Sequence, residues 1–239
     1  RVVLYVFGPK LARECGGATI LAWMAVATIL ISSLIALKKD NLKARLAFST
    51  IGQLSYIVLG IAILSPLSTA GALYHLVAHA FMKITLFMCA GAIFVTTHKK
   101  DISEMVGLGR RMPVTMSAFT IASLGISGFP FFVGFVSKAN IIMGALKTGQ
   151  LLFGATLIVS AVLALTYLMP VVLITFKREP VNPEFNTYGE ASKTMLVPLL
   201  ITATVSVILG VAPNFGLHLL DLAMSTGEAV FAHVGGVIC

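Results

Sequence analysis

The sequence predicts an all-α fold, a polytopic transmembrane helical bundle with about seven spans and one interrupted helix. Hydrophobic residues make up 58% of the chain and charged residues only 11%, whereas soluble domains carry about 25% charged residues. Several apolar runs reach the roughly 20 residues that a helix needs to cross a bilayer. One of these runs contains titratable side chains, and another is broken by glycine and proline. We therefore expect polar groups to be buried among membrane helices.

Seven candidate spans follow one another along the chain. They cover residues 18–37, 46–64, 69–97, 113–128, 131–146, 151–176 and 194–211. Pro66 marks the end of the second span, Pro113 suits a first helical position, and Pro170 predicts a kink in the sixth. The connection between the third and fourth spans is polar, and its middle is expected to lie along the membrane interface as a short amphipathic helix.

These spans divide the chain into three parts. Residues 1–17 are expected to be the end of a preceding helix and a connection, which indicates the C-terminal part of a longer protein. Residues 18–176 form the membrane domain. Residues 177–239 hold a polar linker, the last span and a C-terminal tail, and from Asn214 onward the tail is predicted to form a short interfacial or partner-facing helix.

The net charge of +8 arises from 17 basic and nine acidic residues. The basic residues cluster at the ends of apolar runs, where membrane proteins keep them, so the charge indicates a lipid bilayer and not nucleic acid as partner. Cys15, Cys89 and Cys239 lack the spacing of a metal site or a disulfide framework. No haem, iron–sulfur or nucleotide motif is present. We therefore expect no metal, no cofactor and no redox chemistry in this chain.

The third span carries a stripe of titratable side chains and is expected to organise the bundle. His75, His79 and Lys83 are spaced four residues apart within the apolar run Leu73–Gly91. On a helix they share a stripe about 80° wide and about 12 Å long. Lys83 lies too far from either end of the span for its side chain to reach water. The stripe predicts a proton pathway. The alternative is that the histidines bond across helices and Lys83 forms a structural ion pair.

Lys138 is the second lysine inside a span. It ends the segment 125–138, in which glycine and proline recur within apolar sequence. Interrupted membrane helices are tolerated where they line a cavity, and they frame ion sites in transporters. The alternative is a tight helical hairpin with Lys138 near its mouth. Lys43 is a further candidate, although it is most simply a charge that sets topology.

Two other features bear on a pathway. Ser49, Gln53 and Tyr56 form a polar edge on the second span, which fits either helix packing or the wall of a water-lined pathway. All nine acids lie outside the predicted spans. Compensation for Lys83 and Lys138 is therefore expected from water, from neutral lysines, or from a carboxylate on another segment.

Three motifs carry a family resemblance. Residues 40–56 contain DNLK followed by LAFSTIGQLSY, the third span contains an HxxxHAxxK pattern, and Gly128 through Lys138 form an interrupted helix. In this order, and across about residues 1–180, they resemble the antiporter-like membrane subunits of respiratory complex I. The same family includes subunits of multisubunit cation/proton antiporters and membrane-bound hydrogenases. The segment GFVSKANII is similar to the D-type subunits of the cation/proton antiporter branch.

The resemblance implies a fourteen-helix fold built from two inverted five-helix repeats, of which this chain holds the second. It implies that Lys83 is the central-axis lysine and that Lys138 is the group of the output half-channel. His75 and His79 would connect the two lysines through water. The family's first-half carboxylate and lysine have no counterpart here, so the upstream half of the same protein and other membrane subunits are expected as partners.

The function expected from this resemblance is proton translocation. The chain would be a non-redox subunit of an NADH:quinone oxidoreductase-type (ubiquinone) translocase or of a cation/proton antiporter. It would lie in a bacterial or archaeal cell membrane, or in an equivalent energy-converting inner membrane. One alternative is Na⁺/H⁺ or K⁺/H⁺ exchange, although the lack of buried acids argues against a cation site within the chain. Another is a structural membrane subunit that only docks partners, for which both lysines would have dry surroundings.

Overall fold

The computed structural model describes residues 2–177 and 183–235 of the chain, and within them the fold is helical, with no β-strand. The helices are α1 (Gly8–Glu14), α2 (Gly17–Lys38), α3 (Leu42–Ala62), α4 (Pro66–Thr97), α5 (Leu108–Arg111), α6 (Pro113–Ser127), α7 (Val133–Lys147), α8 (Leu151–Lys177), α9 (Lys193–Val211) and α10 (Leu219–Gly235). A π-helix, Val2–Phe7, precedes α1, and 3₁₀ turns cover Ile102–Glu104 and Pro183–Asn186. The expectations for residue 1, for residues 178–182 of the polar linker and for residues 236–239 fall outside the described residues.

The seven predicted spans correspond to α2, α3, α4, α6, α7, α8 and α9. Of these, α2, α3, α4, α8 and α9 are long and apolar enough to cross a membrane. Helices α6 and α7 have 15 residues each and are separated by residues 128–132. The predicted polytopic helical bundle with an interrupted helix is thereby confirmed.

Local chemistry explains where the helices begin and end. Asn41 caps α3 by accepting a hydrogen bond from the backbone N–H of Ala44 at 3.1 Å. Pro66 and Pro113 begin α4 and α6, where their missing N–H has no intrahelical partner to lose. Gly128 ends α6 with a φ of 85°, a conformation that glycine adopts without strain.

The prediction for the start of α3 was wrong. The predicted second span starts at residue 46, which leaves Arg45 in the preceding connection, but α3 begins at Leu42 and contains Arg45 as a buried side chain. Arg45 Nη1 donates to the Tyr167 carbonyl at 2.8 Å, and Nε donates to the Lys39 carbonyl at 2.8 Å. The Asn41 cap allows the helix to begin within the charged run, and two backbone carbonyls satisfy the guanidinium.

Helix α4 lies at the centre of the bundle, as predicted. It packs against α3, α6, α7, α9 and α10. Small residues allow these close approaches, which is the usual device of membrane helix pairs. A Cβ built on Gly71 would lie 2.8 Å from the Ile141 backbone nitrogen of α7. A Cβ on Gly60 of α3 would lie 2.9 Å from the Cβ of Ala72.

The C-terminal part of the chain packs on the same centre. Tyr74 donates from its hydroxyl to the Leu209 carbonyl in the last turn of α9 at 2.8 Å. Gly210 lies against the segment between α6 and α7, since a Cβ there would be 2.5 Å from the Phe132 Cα. Helix α10, expected to be interfacial or partner-facing, packs on α4 and α1 of this chain. In the polar connection, a single short α-helix, α5, follows a 3₁₀ turn.

Candidate functional site

The stripe on α4 is buried. His75, His79 and Lys83 have fractional exposures of 0%, 7% and 5%. The helix spacing places them on one side of α4, and their contacts lie on α3 and α7. Burial of three titratable side chains in a row within an apolar helix requires polar partners from the neighbouring helices.

Lys83 is held by a backbone group. Its Nζ donates to the Leu46 carbonyl of α3 at 3.1 Å. No acidic residue occurs in α2, α3, α4 or α6 to α9. Within the part of the chain that the structure describes, the ammonium is therefore met by a carbonyl dipole, not by a carboxylate. These helices therefore offer no carboxylate for the alternative in which Lys83 forms a structural ion pair.

His75 connects α4 to α3 and α7. Its Nδ1 lies 2.8 Å from the Ser137 hydroxyl of α7. Its ring stacks on the Tyr56 ring of α3, with centroids 5.6 Å apart and an angle of 21° between the planes. The His79 ring follows one turn later, with its centroid 6.2 Å from that of His75. The two imidazoles therefore form consecutive polar positions between α7 and Lys83.

Lys138 lies beside the helix interruption and is 4% exposed. Its Nζ donates to the Ile126 carbonyl in the last turn of α6 and lies 4.8 Å from the centroid of the Tyr56 ring. In a continuous helix, Ile126 would accept from residue 130, which is a proline and has no N–H. The interruption therefore supplies a carbonyl that is free to bind the lysine.

Several buried polar atoms in this part of the structure have no hydrogen-bond partner. They include His75 Nε2, His79 Nε2, Gln53 Oε1, Thr69 Oγ1 and Ser123 Oγ. Buried polar atoms of this kind are the ones that ordered water serves in proteins. His75 and His79 thus each have a buried Nε2 with no protein hydrogen-bond partner.

Lys43 is not brought together with the other candidates. It is exposed in the first turn of α3, and its Nζ lies 4.6 Å from the centroid of the Phe94 ring.

The side chains of the polar edge of α3 have different contacts. Ser49 accepts a hydrogen bond from the Tyr167 hydroxyl of α8 at 2.8 Å, whereas Tyr56 reaches the candidate site.

The sequence did not identify Tyr56 and Ser137 as residues of the candidate site. The sequence places Tyr56 on a polar edge of the second span and Ser137 within the interrupted segment, without indicating that the two meet His75. Their places on helix faces were a usable signal, because Tyr56 follows Ser49 and Gln53 at helical spacing. Which helix those faces meet depends on tertiary packing.

Comparison with known proteins identifies the family. Residues 9–176 match the family described as NADH:quinone oxidoreductase/Mrp antiporter, transmembrane. NADH-quinone oxidoreductase subunit N of Desulforudis audaxviator is 36% identical over 202 residues, which are 80% of this chain and 40% of that protein. Subunit L of the Mycobacterium tuberculosis enzyme is 39% identical over 188 residues, 77% of this chain and 29% of that protein.

Solved structures share the fold. The Mrp complex from Dietzia sp. matches with a TM-score of 0.81 and 23% identity, over 95% of this chain and 51% of the other. Respiratory complex I from Thermus thermophilus also matches with a TM-score of 0.81, at 22% identity, over 96% of this chain and 49% of the other. The chain thus spans less than half of the length of the two curated relatives. It is a multi-pass membrane protein that belongs to the NADH:quinone oxidoreductase/Mrp antiporter membrane family.

Proposed function

We propose that this chain forms the second half of a proton-translocating membrane subunit, in which Lys138, His75, His79 and Lys83 relay protons. The complex would be of the respiratory complex I type or a cation/proton antiporter. The observation that carries the proposal is the buried row of these four side chains, which begins at the α6–α7 interruption and continues along α4. Family membership supports the same assignment.

Each member of the row has chemistry suited to this role. Lys138 and Lys83 are held by backbone carbonyls, which accept hydrogen bonds without fixing the proton as a carboxylate would. A histidine can take a proton on one ring nitrogen and release one from the other, which makes it a natural relay. Water at the unpartnered nitrogens of His75 and His79 would bridge the gaps between rings and lysines.

The absence of acids in these spans makes the charges interdependent. Lys138, His75, His79 and Lys83 are buried in the same bundle, where like charges disfavour one another. A single charge at the bilayer centre costs at least about 2.5–3.5 kcal/mol. A proton on one of these four side chains therefore disfavours a proton on another, so that protonation at the Lys138 end would promote proton release at the Lys83 end. We place Lys43 outside the relay because its side chain is exposed.

The proposed partners are other membrane subunits and the upstream half of the same protein, which would supply the missing carboxylate. The proposed location is the cell membrane of a bacterium or archaeon, or an equivalent energy-converting inner membrane. The solved structures with the same fold are multisubunit membrane complexes, which supports this assembly.

The test is replacement of Lys83 by alanine in the assembled complex. Proton transport should fall by roughly a hundredfold, the contribution typical of a positioned proton-transfer group. The matched control is Lys100→Ala, which removes an exposed basic side chain outside the spans and should leave transport near wild type. Near-normal transport in a Lys83→Ala complex that assembles at the wild-type level would refute the relay.

A further inference from the structure

The ring of Tyr56 contacts both Lys138 and His75. The Lys138 Nζ lies 4.8 Å from the ring centroid, and the ring stacks on the His75 imidazole. Tyr56 is fully buried, and its hydroxyl donates to the Leu157 carbonyl of α8 at 3.3 Å. Contacts with α4, α7 and α8 therefore hold this ring in place.

Small residues one helical turn from Tyr56 and His75 allow the three helices to approach closely. A Cβ on Gly60 would lie 2.9 Å from the Ala72 Cβ and 3.3 Å from the Ile141 Cγ1. Gly60 follows Tyr56 by one helical turn, while Ala72 precedes His75 and Ile141 follows Lys138 by three residues each. The close approach of α3, α4 and α7 at Gly60 thus brings Tyr56, His75 and Lys138 together at the adjacent turn.

An aromatic face attracts a cation because the ring quadrupole is negative above and below its plane, and this attraction grows when water is excluded. Lys138 has no carboxylate partner within the described part of the chain. The groups that contact its ammonium are the Ile126 carbonyl and the Tyr56 ring. The ring face therefore supplies stabilisation that an acid would otherwise provide.

We propose that Tyr56 is a positioning residue whose ring face stabilises the charged form of Lys138 and thereby sets the pH at which Lys138 exchanges its proton. The inference rests on the proposed function, in which Lys138 titrates during transport. On α4, the buried titratable groups are Tyr74, His75, His79, Lys83 and Cys89. Helix α6 contributes the Ile126 carbonyl to the lysine. Helices α3, α6, α7, α8 and α9 contain no acid.

The experiment compares the pH dependence of proton transport in the full complex carrying phenylalanine or trifluorophenylalanine at position 56. Both side chains lack the hydroxyl and have nearly the same shape, but fluorination removes most of the negative potential of the ring face. The Tyr56→Phe complex should keep the wild-type midpoint. In the trifluorophenylalanine complex and in the Tyr56→Leu complex, the midpoint of the pH dependence should be lower by about one pH unit. This shift is a tenfold weaker binding of the proton by Lys138, which is the size of effect that a desolvated cation–π contact supplies.

One control and one further variant separate the possible outcomes. Tyr74→Leu removes another buried tyrosine, on α4, whose hydroxyl bonds to α9; it should lower stability without moving the midpoint. Equal midpoints for the phenylalanine and trifluorophenylalanine complexes would overturn the role of Tyr56. Full transport in a Lys138→Met complex would instead contradict the proposed function, so the two failures are distinguishable.

Discussion

At the scale of single residues, the candidate site is built from lysines that bind carbonyl oxygens. Pro130 cannot donate to Ile126, so the last turn of α6 keeps an acceptor for the Lys138 ammonium. Lys83 is held in the same way by the Leu46 carbonyl. A carbonyl accepts a hydrogen bond from either the ammonium or the neutral amine, whereas a carboxylate would favour the ammonium strongly. This choice of partner suits a group that must both load and release a proton.

The chemistry of Lys138 can be tested by two substitutions. Lys138→Met should reduce proton transport by roughly a hundredfold, because it removes the titratable group. Lys138→Arg should restore charge but not transport, because a guanidinium stays protonated. The measurement is proton uptake by proteoliposomes that contain the assembled complex. Lys147→Met, on the exposed end of the same helix, is the matched control. An arginine variant as active as wild type would show that titration at this position is unnecessary.

At the scale of elements, the bundle depends on glycine contacts between α4 and its neighbours. Gly71 faces α7, where a Cβ would lie 2.8 Å from the Ile141 nitrogen and 2.9 Å from the Asn140 Cβ. Gly91 lies on the same helix, and a Cβ built there has no atom within 4 Å. The two glycines therefore differ in packing while sharing a helix and a residue type.

The contrast gives a direct test of the packing. Gly71→Val should destabilise the assembled complex by about 1–3 kcal/mol through overpacking, and it should separate Lys138 from His75. Gly91→Val should change stability little, since valine has open space and a better helix propensity than glycine. Thermal unfolding of the purified complex measures both effects. Equal stability of the two variants would argue against the close contact between α4 and α7.

Much of this element scale was accessible from the sequence. Apolar runs, prolines and the Gly128–Lys138 pattern are local signals, and they predicted the seven helices and the interruption. The titratable stripe predicted the central place of α4. The start of α3 was missed because charged residues at 43 and 45 resemble a connection, although Asn41 offered a cap. The contact of Tyr56 with His75 and Lys138 could not be predicted, because it depends on how Gly60 and Gly71 bring three helices together.

At the scale of the whole molecule, the described chain holds a row of four buried basic side chains, and α2 to α4 and α6 to α9 contain no acid. The row extends from the α6–α7 interruption, through α4, to the contact between Lys83 and α3. Helix α9 closes over the interruption, and α10 covers the first turns of α4. These side chains are therefore enclosed within the bundle. Under the proposed function, other membrane subunits or an upstream segment of the same protein would supply their counter-charge.

The measurement that tests this account most directly is proton flux through complexes that carry Lys83→Ala and Lys138→Met singly and together. If both lysines act in one path, either change alone blocks it, and the double variant should transport no more slowly than each single variant. The assembled amount of each complex is measured in parallel. Substantial flux in either single variant, or a double variant much slower than both, would contradict a single relay through Lys138, His75, His79 and Lys83.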